Sequence, residues 1–492
     1  MPINSPKVGV GAAACIALAI TAGCAAGPNY VRPQVSAGAA FIEASDSAGP
    51  GRRWNDTAAR SNWWILFEDP KLVWLIEEAI AKSPRVDEAL ARLGRAQALA
   101  DAARGGRLPA IQLQGQAAQL RTVPLNGLGA AGDRAVELTN YTGEVAVSYD
   151  LDLFGKNARR VEAAEARQAE AEFALAATHL LIAGQVAAAY IELGALCDER
   201  LLLEKKITAE KSRLDLLSLR QQHGLERETA ANELSLSVER LRAQRLVVQQ
   251  RIEVNVHRIA VLLGRNPAEA PIREATLATL AMPAQLAAGV PSSLIRNRPD
   301  ILAAEARLAA ASAEIGVATA DLYPNMTITA SAGATGFEGI GSIFEPIWLA
   351  GTRLLAPIFE GGKRKALKRA AEANIASELG RYRTVILGSF EQVATGLKAA
   401  ENNAQAQEAT ARAARLAQAN RAAARARHAV GLEPYANVLL EESRASDAEI
   451  ADLYARSRWF TDAALLLSAV APIEKSDGGV AFSGRKGDPQ GD

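Results

Sequence analysis

The sequence predicts a mainly α-helical chain with four β-strands that contribute to a transmembrane barrel. Three observations lead to this prediction. A helical heptad changes into strand alternation at Tyr323-Pro324, the same change occurs earlier at Leu108-Pro109, and a long helical segment without proline follows each pair of strands. The chain is therefore a tandem duplication of one strand-helix unit, and we expect the two copies to form one intertwined body.

The first observation is a heptad repeat that ends at a proline. Ile301, Leu308 and Ile315 recur at every seventh residue, with an alanine three positions after each, which is the pattern of a packed helical seam. Pro324 ends this helix, because the residue before a proline is disfavoured in the α region. Residues 326–332 then alternate apolar with polar side chains, which predicts a strand.

The second observation is the duplication itself. One offset places Pro84 on Pro299 and Pro109 on Pro324, and a slightly smaller offset places Gly224 on Gly431. The change in offset indicates that the first copy has the longer connection between its strands. Two copies of one long unit exclude a solenoid of short repeats. We assign residues 63–264 to the first repeat and 298–471 to the second.

The third observation is the set of strands and helices in each repeat. Strands are predicted at about 110–120 and 142–153 in the first repeat and at about 325–334 and 346–359 in the second. Long helices follow at about 156–223 and 226–263, and at about 363–430 and 433–467. A helix of roughly 68 residues is about 100 Å long, which exceeds a globular domain. We expect these helices to pack together outside a membrane.

The strands suit a membrane barrel in which apolar side chains face lipid and polar side chains face water. Gln112, Gln114, Thr327 and Thr329 are the polar residues that we expect to face the lumen. Four strands cannot close a barrel, because an open edge leaves backbone groups unpaired in hydrocarbon. Other copies of the chain would have to complete it. The alternative is a small soluble antiparallel sheet with one solvated face.

The amino terminus predicts export. Residues 1–23 have a lysine, an apolar segment and small residues before Cys24, as in a signal peptide. Cys24 is then the predicted lipidation site, although Thr21 stands where this type of signal usually has leucine, and ordinary cleavage nearby is the alternative. Residues 24–62 are expected to form an extended strap, and the Gly-rich tail 472–492 is expected to be disordered.

Composition argues against several other functions. The 55 basic and 55 acidic residues cancel, so nucleic-acid binding has no electrostatic support. The four histidines are scattered and no cysteine pair accompanies them, so neither a metal site nor another cofactor is expected. No combination of nucleophile, base and orienting group can be proposed, and we expect the protein not to be an enzyme.

Short motifs in a fixed order identify a family. They are Gly27 to Pro33, Trp63-Trp64, Asp69-Pro70, Phe154-Gly155-Lys156, Leu262-Leu263-Gly264, Arg298-Pro299-Asp300, Leu322-Tyr323-Pro324 and Phe359-Glu360-Gly361-Gly362. With these motifs the chain resembles the TolC-like outer membrane factors of tripartite efflux pumps, and more closely their lipoprotein, NodT-like branch. The resemblance covers nearly the whole chain.

This resemblance implies a homotrimer in the outer membrane, in which each chain gives four strands to a twelve-stranded barrel and paired helices to a periplasmic tunnel. Residues 265–297 would form an equatorial linker. The turns at Gly224-Leu225 and Gly431-Leu432 would form the periplasmic tip that contacts an adaptor protein. Arg421 and Arg425 could line the aperture there, or they could pair with carboxylates on neighbouring helices. Cys24 would carry palmitate in membrane lipid.

The function that the resemblance implies is passive export. The channel would carry drugs or other small molecules, as in antibiotic resistance, and an inner-membrane pump would drive the transport. Two alternatives stay open at this point. One is the exit channel of a type I protein secretion system, and the other is a periplasmic coiled-coil scaffold that does not conduct.

Overall fold

The computed structural model describes residues 25–34, 61–122, 136–283, 297–338, 343–472, 475–476 and 479–480. The predicted signal peptide, Cys24 and residues 284–296 of the predicted linker lie outside the described residues. Most of the predicted disordered tail also lies outside them. Residues 475–476 of that tail pair with residues 479–480 as two short antiparallel strands.

Long helices alternate with pairs of strands in the described part of the chain. In order, the elements are α1 (Pro70–Lys82), α2 (Pro84–Gly105), β1 (Ala110–Thr122), β2 (Val136–Leu151), α3 (Lys156–Gln222), α4 (Glu228–Leu262), α5 (Pro299–Ala320), β3 (Asn325–Glu338), β4 (Ile343–Leu355), α6 (Lys363–Ala429) and α7 (Tyr435–Val470). Both repeats have the same order of strand, strand, long helix and return helix. This order confirms the predicted tandem of strand-helix units.

The chain divides into two compact units. Unit one comprises Met1–Pro33, Leu93–Glu170 and Ala304–Tyr382, and unit two comprises Gln34–Arg92, Ala171–Ala303 and Arg383–Asp492. Each unit takes segments from both repeats. The two repeats of the sequence therefore do not correspond to the two compact units.

Unit one contains a four-stranded antiparallel sheet in the order β1-β2-β3-β4. β2 begins at Val136, before the expected 142, because its first residues pair with β1 as far as Thr122. β4 ends at Leu355, before the expected 359. Pro357 follows closely, and proline has no N–H group to donate to a strand ladder.

The amino-terminal strap also lies in unit one. Ala26 N–H donates to the Phe154 carbonyl at 2.9 Å, and the buried Arg159 guanidinium donates to Asn29 Oδ1 at 2.7 Å. A Cβ atom added at Gly27 would lie 2.5 Å from the Gly316 Cα. Only glycine allows this close backbone approach, so the strap is seated against α5 by shape as well as by hydrogen bonds.

Unit two contains the hydrophobic core. Trp63 and Phe67, from a 3-10 turn just before α1, are fully buried, and Phe67 contacts Phe460 of α7 with ring centroids 6.2 Å apart. Trp63 and Trp64 make an edge-to-face pair at 5.9 Å. Aromatic pairs of this geometry contribute beyond the area that they bury. The aromatic motif before α1 is thus an anchor of this core.

Helix α3 has an unusually apolar segment. It contains an 18-residue window that is long and apolar enough to cross a bilayer, and 78% of that window is buried. The core helix of a globular unit meets the same criteria. The window is therefore weak evidence for a membrane span, and packing within the chain accounts for its composition.

The described part of the predicted linker is fixed to unit two. Thr276 Oγ1 and the Leu277 N–H both donate to Asp198 Oδ2 at 3.0 Å. Arg456 of α7 donates to the Leu277 carbonyl at 3.0 Å. This segment therefore ties α3 to α7.

Candidate functional site

The sheet of unit one has one polar face. Directly opposed residues of antiparallel strands point to the same side, and the register places all four predicted lumen residues, Gln112, Gln114, Thr327 and Thr329, on one face. The same face also carries the polar residues Gln116, Asn140, Thr142, Glu144, Ser148, Asp150, Ser331, Thr335 and Arg353. Period-2 alternation thus gives a polar surface on β1, β2 and β3, whereas β4 places Ile347, Leu349 and Leu355 beside Arg353 on the same face.

Hydrogen bonds connect the polar side chains of β2 and β3. Asn140 Nδ2 donates to Thr335 Oγ1 at 3.0 Å, and Thr142 Oγ1 donates to Asn140 Oδ1 at 2.9 Å. Nearer the helices, Thr327 Oγ1 donates to Asp150 Oδ1 at 2.6 Å. These bonds fix polar groups in a surface that can border water.

The opposite face of the sheet is mainly apolar. Its apolar members include Ile111, Leu113, Val145, Val147, Tyr149, Ile328, Ala330, Ala332, Trp348 and Leu354. Gln119, Arg121 and Thr352 also lie on this face. Large residues of this face, Leu113 and Trp348 among them, are exposed. A contiguous exposed apolar surface marks a contact with lipid or protein. The sheet can therefore separate two different surroundings.

The turn at the end of α3 is a Schellman motif. Leu225 N–H donates to the Arg220 carbonyl and Gly224 N–H to the Gln221 carbonyl, both at 2.9 Å. Gly224 has a φ of 68°, which glycine adopts without steric cost. The turn at Gly431-Leu432 repeats both bonds with the same sequence separations. The duplicated motif therefore codes for the same backbone geometry twice.

These turns expose apolar side chains. Leu225 is 68% exposed and Leu432 is 77% exposed, although a Schellman motif often buries this residue against its own helix. Val430 beside the second turn is also exposed. Both predicted tip leucines are thus available for contact with another surface.

An ion pair braces each turn. Arg220 Nη2 lies 3.7 Å from Glu226 Oε2, and the equivalent Arg427 Nε lies 2.6 Å from Glu433 Oε2. The hydrogen bond from Arg427 holds the pKa of Glu433 below its usual range. In the second repeat the His428 and Tyr435 rings also lie 5.2 Å apart. The two turns share a backbone and differ in their side-chain support.

Arg421 and Arg425 pair with α7. Arg421 Nη1 lies 3.5 Å from Glu442 Oε1 and 3.9 Å from Glu449 Oε1, and Arg425 also forms an ion pair with Glu442. This geometry is the structural alternative that the sequence left open. A role of the two arginines at an aperture stays a prediction.

Asp69 in unit two is a buried carboxylate, and the sequence predicted only some of its hydrogen-bond partners. Asp69, 2% exposed, caps α1 by accepting from the Lys71 and Leu72 N–H groups at 2.8 and 3.2 Å. It also accepts from Thr279 Oγ1 at 2.6 Å and Tyr190 OH at 2.9 Å. Burial raises the pKa of Asp69, but these four hydrogen bonds outweigh it and leave the pKa lowered. Asp69-Pro70 predicted the cap, and no local pattern could reveal the distant partners.

Within the ranges that the structure describes, no group of three or more His, Cys, Asp or Glu side chains could hold a metal ion. Burial lowers the pKa of His179 to about 4, so its imidazole is neutral at physiological pH. Cys197 is buried, and burial raises the pKa of its thiol.

Comparison with known proteins decides the family. A family model of outer membrane efflux proteins matches residues 75–265 and 290–471, which is well over half of the chain. The chain belongs to the outer membrane efflux protein family. The family that the sequence motifs indicated is therefore confirmed.

Individual relatives agree with this assignment. The chain is 33% identical over 344 residues to the pyoverdine export outer membrane protein OpmQ of Pseudomonas putida KT2440, covering 69% of this chain and 72% of that protein. It is 29% identical over 413 residues to nodulation protein T of Rhizobium leguminosarum bv. trifolii, covering 81% and 84%. The solved structure of the outer-membrane channel OprN aligns with a TM-score of 0.80 at 25% identity, covering 91% of this chain and 99% of that chain.

The family assignment states the function at a coarse level. The protein is an outer membrane efflux channel, with a barrel in the membrane and a helical tunnel in the periplasm. Channels of this kind are trimeric, work with an adaptor and an inner-membrane pump, and are not enzymes. The predicted localisation in the outer membrane, with the tunnel in the periplasm, is confirmed, and the lipid anchor at Cys24 stays a prediction.

Proposed function

We propose that three copies of this chain form a passive exit duct for small molecules, in which the polar face of each sheet lines the lumen and the apolar face contacts lipid. The observation that carries this proposal is the two-faced sheet with open edges. Gln112, Gln114, Thr327 and Thr329 share the polar face. β1 and β4 each lack a neighbour on one side of the described sheet.

The open edges indicate how the barrel closes. Successive strands of the sheet are antiparallel, so β1 and β4 run in opposite directions. The β1 edge of one copy can therefore pair antiparallel with the β4 edge of the next. Three copies give twelve strands and leave no edge in hydrocarbon, where each unpaired backbone group costs several kcal/mol.

The cargo class is inferred from a relative. A relative is named for pyoverdine export, which supports a small-molecule cargo such as a drug or another compact solute. The inner-membrane pump would select the cargo and supply the energy. The duct itself would contribute a hydrated path.

The periplasmic end would meet the partner protein. The exposed leucines of the turns, Leu225 and Leu432, are placed to pack against an adaptor, and Gly224 and Gly431 would set their backbone geometry. Arg421 and Arg425 would narrow the aperture from α6 while bound to α7. At the other end, a palmitate-bearing Cys24 would anchor the strap in the outer membrane.

Cysteine accessibility tests the assignment of the two faces. Single variants Thr327→Cys, Thr329→Cys and Ile328→Cys, in a chain whose own cysteines are replaced except Cys24, are inserted in vesicles and treated with a membrane-impermeant maleimide. We expect the two threonine positions to react and Ile328 to remain unlabelled, because it would face lipid. Equal labelling at all three positions would contradict the assignment.

Conductance tests the duct. Heat-modifiable trimers should conduct ions in planar bilayers. A folded trimer that does not conduct would instead favour the periplasmic scaffold. If the channel exports its cargo in cells only together with a type I secretion system, this would favour the protein secretion function.

A further inference from the structure

The first turns of α6 are strongly basic. Five of the first seven residues are cationic, namely Lys363, Arg364, Lys365, Lys368 and Arg369. Arg364 pairs with Glu360 at 2.8 Å, and Lys368 lies 3.7 Å from Glu372. The other three form no ion pair with the described residues of the chain. Two turns of helix thus present a concentrated positive charge.

This charge is unfavourable for the isolated helix. The amino end of a helix carries the positive end of the helix dipole, which disfavours cations. Lys365 and Arg369 are exposed and lie four residues apart, and like charges at this spacing repel each other along one helix face. Such an arrangement is expected where an external anion is bound.

Exposed apolar residues lie directly before these cations. Ile358 is 97% exposed and Phe359 is 87% exposed. Gly361 and Gly362 follow with φ values of 59° and 83°, a left-handed turn that leads the chain from β4 into α6. Leu354, near the end of β4, belongs to the apolar face of the sheet and is exposed. Apolar surface therefore continues from the sheet to the base of the basic helix.

The equivalent junction of the first repeat is an internal comparison. Asp152 accepts from the Asn157 and Ala158 N–H groups at 3.0 and 2.7 Å, so the start of α3 has its own anion. Phe154 stacks on Tyr323 with centroids 4.6 Å apart. The offset between the repeats places Phe359 where Asp152 stands, and a phenyl ring cannot accept these hydrogen bonds. The second junction thus lacks the side-chain cap that Asp152 gives the first, and its own carboxylate, Glu360, pairs with Arg364.

We infer that the β4–α6 junction binds anionic phospholipid headgroups at the periplasmic surface of the outer membrane. Ile358 and Phe359 would enter the acyl region, while Lys363, Lys365 and Arg369 would contact phosphate groups. Basic clusters at a membrane surface recognise anionic lipid in this way, and aromatic and apolar residues anchor at the same depth. A soluble anion would leave both apolar side chains in water. The inference rests on the proposed placement of the apolar sheet face in lipid.

The experiment uses the full-length trimer in a nonionic detergent. Dioleoylphosphatidylglycerol or dioleoylphosphatidylcholine is titrated, and bound lipid is counted by native mass spectrometry. Wild type should retain phosphatidylglycerol in preference to phosphatidylcholine. The variant K363Q/K365Q/R369Q should bind phosphatidylglycerol about a hundredfold more weakly, since each cation near an anionic surface changes affinity about fivefold.

A matched variant controls for net charge. K71Q/K205Q/K211Q removes three cations that are exposed in unit two and form no ion pair with the residues that the structure describes. This variant should bind phosphatidylglycerol as wild type does. The single variant Lys365→Gln, at an exposed position, should lose about fivefold and gives the same test if the triple variant fails to fold.

The outcomes separate this inference from the proposed function. Equal phosphatidylglycerol binding by wild type and the basic-cluster variants, with conducting trimers in each case, would overturn the lipid site alone. Dissociation of the triple variant into monomers, with lipid binding by Lys365→Gln unchanged, would assign the surface to a contact between copies and also overturn it. Failure of wild type to conduct would count against the duct itself.

Discussion

Removing the carboxylate of Asp69 should destabilise the helical core more than any exposed substitution. Asp69→Ala removes a helix cap, which costs about 0.5–2 kcal/mol. It also leaves the hydroxyl of the buried Tyr190 without its acceptor, at about 1–3 kcal/mol. Thr279 is exposed, and its hydroxyl also donates to the Thr276 carbonyl at 3.1 Å, so it adds little to the loss. We therefore expect a loss of about 2–5 kcal/mol in the free energy of unfolding.

A double-mutant cycle separates the network from the cap. Tyr190→Phe alone should cost about 1–2 kcal/mol, because Asp69 keeps its other donors. The double variant D69A/Y190F should cost less than the sum of the two single changes, since no orphan hydroxyl remains at residue 190. Guanidinium unfolding in detergent, followed by the fluorescence of the buried Trp63 and its neighbour Trp64, measures each value. Additive losses, or a loss below about 0.5 kcal/mol for Asp69→Ala, would refute the reasoning.

The pH dependence follows from the lowered pKa of Asp69. A carboxyl whose folded pKa is depressed contributes stability that is present above its unfolded pKa, about 3.9, and that disappears as the pH falls through the folded value. The stability difference between wild type and Asp69→Asn should therefore be constant from neutral pH to about pH 5 and should shrink in more acidic solution. A difference that grows on acidification would contradict this sign.

Two further predictions concern the turns and the helix beside them. Gly431→Ala, in the turn after α6, should cost about 1–2 kcal/mol through its left-handed φ alone, since a Cβ there meets no atom within 4 Å. Gly388→Ala, within α6, also meets no atom and should be neutral or stabilising. Equal unfolding free energies of the two variants would contradict this. R421A/R425A should change stability by less than about 1 kcal/mol because their ion pairs with Glu442 are partly exposed, and should raise single-channel conductance. Unchanged conductance would remove both arginines from the aperture.

Local sequence patterns predicted the elements and the faces of the sheet. Gln112 and Thr327 share a face with the other polar residues of their strands. Side chains in a strand alternate between its two faces, so the two-residue period in the sequence assigns each residue of a strand to one face or the other. The turns were visible as Gly224 and Gly431 because a left-handed residue at a helix end requires glycine. These features depend on neighbours in sequence, and a single sequence contains that information.

Long-range contacts were not predictable in the same way. Asp69 accepts hydrogen bonds from Tyr190 and Thr279, which are 121 and 210 residues away in the sequence. The periodicity of the sequence gives no information about contacts at such separations. The hydrogen bond from Arg159 to Asn29 of the strap was equally unpredictable from the sequence, because an arginine near a helix start is usually solvated. The extension of β2 to Val136 depended on the register with β1, which only pairing could reveal.

The docking of the strap restricts the proposed lipid anchor. The Ala26 N–H donates to the carbonyl of Phe154, in the connection between β2 and α3, and Gly27 packs against Gly316. Consecutive Cα atoms are about 3.8 Å apart. An acyl group on Cys24 would therefore be only two residues away from the fixed position of Ala26. The main effect of the anchor would then be to set how deeply the strands sit in the bilayer, rather than to keep the protein from leaving the membrane.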